Sequence, residues 1–117
     1  MYLEEPGSTF THDKREYDLR AMLRRVGSKP TRNVKVRDLT WIMKYATPFA
    51  KRVRAADIAA PIIVTRWKGK LVVLDGLHRL AKARSLGVEV LPAKYASRAD
   101  LAACVYQHQL RRNSLRS

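Results

Sequence analysis

The chain has 117 residues, 46% of them hydrophobic, which suits one small domain with its own core. Its 24 Lys+Arg against 10 Asp+Glu give a net charge of +14, and Cys104 is the single cysteine, which excludes an internal disulfide and a cysteine zinc cluster. No apolar run approaches the roughly 20 residues that cross a bilayer, and the acidic start Met1-Tyr2-Leu3-Glu4-Glu5 lacks the regions of a signal peptide, so a soluble, cytoplasmic protein is expected, with no membrane partner.

Residues 1–10 read as a loose tail, broken by Pro6-Gly7-Ser8-Thr9. From Thr11 the pattern is helical: Leu19, Met22, Leu23 and Val26 fall at i, i+3, i+4, i+7, and Gly27 is placed to end the helix. Arg15, Arg20, Arg24 and Arg25 occupy its outer face, and Ser28 to Thr31 form a linker. Asn33 to Leu39 alternates as a short strand around Val34 and Val36. Trp41, Ile42 and Tyr45 fit a helical turn that Pro48 interrupts. Ala50 to Ala60 reads as a helix exposing Lys51, Arg52 and Arg54.

The second half is patterned more sharply. Pro61 to Thr65 is a β-branched strand, Lys68-Gly69 a tight turn, and Lys70 to Leu74 a second strand. Leu77 to Leu86 is a helix ended by Gly87, and Val88 to Tyr95 a third strand. Ser97-Arg98-Ala99-Asp100 has the spacing of a capping box opening a last helix, with Leu101, Cys104, Val105 and His108 on one side. The order α-β-α-β-β-α-β-α predicts an α/β domain with a small mixed sheet and flanking helices. Residues 1–32 form a tail and helix, and 33–117 the domain proper.

The junction Val72-Val73-Leu74-Asp75-Gly76-Leu77-His78-Arg79 carries the chemistry. An apolar strand ends at Asp75, Gly76 permits a tight turn, and a helix starts at once, so free N–H groups face outward and favour an anion. Arg79 can offer a bidentate fork to phosphate, and His78 a further donor. Asp75 can cap the helix, orient His78 or Arg79, or hold a divalent metal beside a phosphate. The plain alternative is an ordinary cap beside an ordinary surface arginine.

Several spaced pieces carry a family resemblance. They are Pro61-Ile62-Ile63-Val64, the strand Leu71-Val72-Val73-Leu74 running into Asp75-Gly76-Leu77-His78-Arg79-Leu80-Ala81-Lys82-Ala83, then Leu86-Gly87 and Val90-Leu91-Pro92-Ala93. Together they resemble the ParB/sulfiredoxin-like superfamily, over roughly residues 33–96 if Asn33 to Leu39 is its first strand. The resemblance implies a nucleotide-binding domain, with ATP or CTP as ligand and Mg²⁺ able to accompany it. Its phosphate-binding turn would be Gly76, Leu77, His78 and Arg79, and its catalytic group Asp75, His78 and Arg79. No residue set for a resident metal stands out.

Departures from the family patterns matter as much. Sulfiredoxins carry their reactive cysteine where this chain has Leu77, so that chemistry is ruled out, and Cys104 reads as a core residue. Partition proteins have Gly-Glu-Arg-Arg at the turn and continue into a helix-turn-helix. Here the chain runs only about 20 residues past the third strand, so a complete partition clamp is not expected. The serine-kinase branch uses an upstream carboxylate base, and only Asp38 and Asp57 lie between Asn33 and Pro61. Each also fits an ordinary turn or helix-surface role.

Charge supplies the second line of argument. Residues 1–18 hold five acids and two bases, whereas residues 19–117 hold 22 bases and five acids. Such a field attracts polyanions through counterion release, so DNA or RNA is the expected partner. Arg24, Arg25, Lys51, Arg52, Arg54, Lys68 and Lys70 are the candidate contacts, with Trp67 and Trp41 available to stack on bases. A solubilising surface is the alternative reading of this charge. His12 and His108 show no metal-ligand spacing. Two functions follow: an NTP-dependent phosphotransferase or nucleotide hydrolase linked to nucleic acid, which the acid at Asp75 favours, or a non-catalytic or nuclease-like DNA/RNA-binding module, which the charge favours.

Overall fold

The computed structural model describes residues 9–106. In chain order these form β1 (Thr9–His12), β2 (Arg15–Asp18), α1 (Leu19–Val26), β3 (Arg32–Lys35), α2 (Ala50–Ala55), β4 (Ile62–Trp67), β5 (Lys70–Asp75), α3 (Leu77–Ser85), β6 (Val90–Tyr95) and α4 (Arg98–Ala103). Two compact units result, one spanning Lys29–Tyr95 and the other drawing on the segments before and after it.

The central unit is a four-stranded mixed sheet in the order β3-β6-β4-β5. β6 runs antiparallel to β3 and parallel to β4, while β4 and β5 form an antiparallel hairpin. Its turn, Lys68-Gly69, has φ of 52° and 79°, the two left-handed residues of a turn that matches strand twist. Four consecutive residues of β4, Ile62 to Thr65, are buried, as in an interior strand without a solvent face. Pro92 sits one residue before the β4–β6 ladder begins at Ala93, so its missing N–H breaks no bond there.

The core of this unit joins Val34, Val36 and Leu39 to Ile62 and Val64, Leu80 and Ala83, and Leu91 and Ala93. Burying each of the larger side chains contributes about 1.5–3 kcal/mol. Leu80 and Ala83 lie three residues apart on α3, so one stripe of that helix faces the core. α3 ends in a Schellman motif: Val88 N–H donates to Ala83 O at 2.9 Å and Gly87 N–H to Arg84 O at 3.2 Å.

The sequence reading needs correction here in two places. Asn33 to Leu39 is not one strand, because β3 stops at Lys35 and Val36–Asp38 is a 3₁₀ turn. Trp41 and Ile42 do lie in a helical turn, of 3₁₀ type, over Thr40–Lys44. The alanine-rich helix is shorter than expected: α2 ends at Ala55, because Ala56 adopts extended backbone and Asp57 begins a turn.

In the other unit, the expected start of a helix at Thr11 is overturned. Thr9 to Asp18 is instead a β-hairpin turning at Asp13-Lys14, with φ of 50° and 65°. Phe10 and Tyr17 face each other across it and stack, with ring centroids 5.3 Å apart. Asp18 then accepts a hydrogen bond from Ala21 N–H and starts α1. Met22 and Val26 are buried, whereas Leu23 is exposed. The capping box forms as its spacing predicts: Ser97 Oγ accepts from Asp100 N–H, and Asp100 accepts from Ser97 N–H. Asp100, only 4% exposed, also receives Arg25 Nε at 2.7 Å. Val105 forms a bridge with Tyr17 instead of extending α4, while His108 and the arginines beyond it lie outside the described residues. No helix among the described residues is long and apolar enough to cross a membrane.

Candidate functional site

The site is built where β5 gives way to α3. Asp75 is still in strand register, opposite Ile63, and a bulge between Ile63 and Val64 bends the ladder just there. Gly76 then takes φ 123° and ψ 19°, which side chains with a Cβ rarely adopt. A Cβ at this position would also lie 2.4 Å from Ile62 Cγ2, so the turn is packed directly on the core. Leu80 N–H donates to Gly76 O at 2.9 Å as the first helical bond. The N–H groups of the three preceding residues therefore have no intrahelical acceptor, and no side chain caps Gly76. Asp75 is thus not the helix cap that the sequence allowed.

Arg79 Nη1 donates to Pro61 O at 3.1 Å, which fixes the guanidinium beside the start of β4. His78 is held differently. Phe49 N–H donates to His78 Nε2 at 3.3 Å, and the two rings stack with centroids 6.2 Å apart and an interplanar angle of 13°. Partial burial pushes the imidazole pKa below its ordinary value; nearby Arg52 adds to this, while Asp75 opposes it. A neutral ring that accepts at Nε2 carries its proton on Nδ1, so only that nitrogen is left to donate.

One turn further along α3, Lys82 Nζ donates to Arg54 O at 2.9 Å and Ala56 O at 2.7 Å. A cation at the C-terminal end of α2 satisfies carbonyls that the helix leaves open. His78 and Lys82, four residues apart, therefore grip the two ends of α2. This clamp brings Arg52 into an open cleft of about 390 Å³ with Ala55, Ala56, Asp57, Asp75, Gly76, His78 and Arg79. Asp57 is part of the turn after α2, its Oδ1 accepting from Ala59 N–H at 3.0 Å.

The cleft thus gathers Asp75, Gly76, His78 and Arg79 from the sequence candidates and adds Arg52, first read only as a nucleic-acid contact. Leu77 opens α3 without lining the cleft. Of the two carboxylates considered as a base, Asp57 is present, and Asp38 lines a separate depression with Trp41 and Arg66. The signal for Asp57 is its position straight after the α2 segment, which the overlong helix obscured. Lys51 and Arg54 share α2 with Arg52. Trp67, Lys68 and Lys70 sit at the β4–β5 hairpin, with Lys68 Nζ 4.6 Å from the Trp67 ring centre. Arg24 and Arg25 belong to the other unit, where Arg25 is paired with Asp100. Cys104, in that same unit, is buried, and burial raises its thiol pKa, opposite to what a nucleophile needs. No group of three or more His, Cys, Asp or Glu side chains among the described residues is arranged to hold a metal by itself.

No family model matches the sequence, and neither does any curated protein. Among solved structures, the chain is similar to sulfiredoxin from Arabidopsis thaliana, at 15% identity and a TM-score of 0.48, covering 63% of this chain and 94% of that one. It is also similar to C-terminally truncated SbnI from Staphylococcus aureus, at 24% identity and a TM-score of 0.48. That match covers 59% of this chain and 31% of the SbnI chain, so this chain spans about a third of it.

Proposed function

We propose that the chain is a nucleotide-binding domain whose cleft at Gly76–Arg79 holds the phosphates of ATP or CTP for phosphoryl transfer or hydrolysis linked to nucleic acid. The observation that carries this reading is the convergence of Arg52 and Arg79 on an uncapped helix N-terminus. Two guanidinium forks and a row of backbone N–H groups suit a polyphosphate, and the cleft volume lies in the range of small-molecule sites, about 300–1,000 Å³. Neutral His78 adds an Nδ1–H donor. The carboxylates of Asp57 and Asp75 suit the metal side of a magnesium–phosphate, in which Mg²⁺ neutralises charge on the phosphate oxygens. Asp57 is a better candidate for the base than Asp38, because it shares the cleft. With Leu77 at the turn, cysteine chemistry has no place in this reading.

A panel of ATP, ADP, CTP and GTP with and without Mg²⁺, read by thermal shift, tests the proposal. A ligand at 100 times its Kd adds about 2.7 kcal/mol to stability. Arg79→Ala is expected to weaken binding by about 1.5–3 kcal/mol, the worth of a charged hydrogen bond. Because the same substitution removes the bond to Pro61 O, the shift is taken relative to the variant's own ligand-free baseline. If neither nucleotide nor phosphate stabilises the wild type, the proposal fails. Stabilisation without turnover would favour the second reading, a non-catalytic module that grips backbone phosphate, which the basic charge of α2 supports.

A further inference from the structure

Between Leu39 and Ala56 the chain carries four bases, Lys44, Lys51, Arg52 and Arg54, and no acid. It also carries three aromatic residues at a spacing of four: Trp41, Tyr45 and Phe49. Trp41 is an anchor. Its Nε1–H donates to Leu71 O at 3.0 Å, and Lys70 Nζ lies 5.0 Å from its ring centre. Tyr45 meets Trp41 edge to face, with centroids 6.1 Å apart, yet remains 77% exposed. Phe49 backs onto His78 in a parallel stack and is 67% exposed. Two aromatic rings, each supported by a neighbour and each open to solvent, thus lie on a basic segment that leads into the phosphate cleft.

We infer that Trp41, Tyr45 and Phe49, with the bases Lys44, Lys51 and Arg52 beside them, form a platform for single-stranded nucleic acid, with unpaired bases stacking on Tyr45 and Phe49. The inference deepens the nucleic-acid half of the reading above and does not depend on nucleotide turnover. Exposed apolar rings alone would equally suit a protein surface, but the absence of any acid over 18 residues selects an anionic partner. A duplex hides its base faces, so stacking rings give it no foothold, whereas every unpaired base presents one. Phe49 donates its backbone N–H to His78, so a base stacked there holds the strand at the mouth of the cleft.

The test is fluorescence anisotropy with labelled dT12, rU12 and a 12-base-pair duplex at low salt, beside the nucleotide thermal-shift assay on the same variants. Tighter binding of either single strand than of duplex is expected. Tyr45→Ala and Phe49→Ala should each weaken strand binding by about tenfold, the scale of one lost base–aromatic stack. Tyr45→Ala should melt close to the wild type, Phe49→Ala, which also gives up its stack on His78, is compared below its own melting point, and Tyr45→Phe, which keeps the ring, should restore binding. Retention of the ATP or CTP shift in Tyr45→Ala separates the platform from the cleft. Equal binding of duplex, indifference to both ring substitutions, or a loss confined to mononucleotide would each overturn the inference. So would self-association that the substitutions relieve while no strand binds.

Discussion

Alanine at Gly76 tests whether the turn is fixed by packing as well as by backbone conformation. Two penalties act together. Holding a residue with a Cβ at φ 123° costs about 1–3 kcal/mol. The new Cβ would also lie 2.4 Å from Cγ2 and 2.7 Å from Cβ of Ile62. Ile62 is fully buried, so it cannot swing away, and such overpacking costs a further 1–3 kcal/mol or so. Gly87 supplies the control. It also has a positive φ, 73°, but a Cβ there would meet no heavy atom within 4 Å. Gly87→Ala should therefore cost only the left-handed conformation, about 1–2 kcal/mol. Urea titrations followed by tryptophan fluorescence compare the two at equal m, so that midpoints report stability. If Gly76→Ala is no more costly than Gly87→Ala, the close approach of the turn to Ile62 has been misjudged, and with it the rigidity of the cleft floor.

A second pair of experiments probes the rest of the site and the terminal unit. The folded chain resists protonating His78, so the unfolded state binds its proton first as pH falls below the ordinary value of 6.5, and stability drops until the folded group also titrates. His78→Gln, which keeps an acceptor for Phe49 N–H, should flatten the stability–pH curve on the acid side. His12 is shifted the same way and should account for slope that persists, but curves of equal slope for wild type and variant would contradict the assignment. Asp100→Ala removes the carboxylate half of the capping box, the acceptor for Ser97 N–H, and the partner of Arg25. A loss of about 1–2 kcal/mol is expected in thermal denaturation, most of it from the cap, because the half-exposed Arg25 pair is screened by solvent.

The sequence was most legible where one short pattern determined one structure. Four residues specify the Ser97–Asp100 box, and Lys68-Gly69 between β-branched runs specifies a hairpin. Leu86-Gly87 likewise marks the end of α3. The Asp75–Arg79 turn belongs with these, because a strand, a glycine and a helix follow each other without a gap. What was missed depends on partners distant in sequence. Thr9–Asp18 alternates well enough for two strands, but Asp13-Lys14 lacks the usual hairpin glycine, and the strong helical period from Leu19 was extended back over it. Asp18 before that period was the available boundary signal. Arg52 reaches the cleft only because His78 and Lys82 hold α2, a contact that spacing within α2 does not encode. The exposure of Tyr45 and Phe49 is likewise set by what the fold places around them, which spacing along the chain does not encode.

The unit that holds α1 and α4 joins the two ends of the described chain. Asp18 N–H donates to Cys104 O at 2.8 Å, and Tyr106 N–H to Glu16 O at 3.1 Å. These bonds and the Arg25–Asp100 pair all link residues some 75 to 90 positions apart, so none can form before the intervening chain has been made. β1 and β2 pack on α1, which follows them directly, but their bonds to Cys104 and Tyr106 can close only after the intervening span has been made. The span between can meanwhile collapse on its own local contacts, β4 with β5 and α3 with its neighbours. Once it has folded, it shortens the effective loop that the bonds between the two ends must close, and with it the entropic cost of closure. Until then α1 lacks its packing against α4, and the nascent chain is more exposed to misassociation before Cys104 has been added.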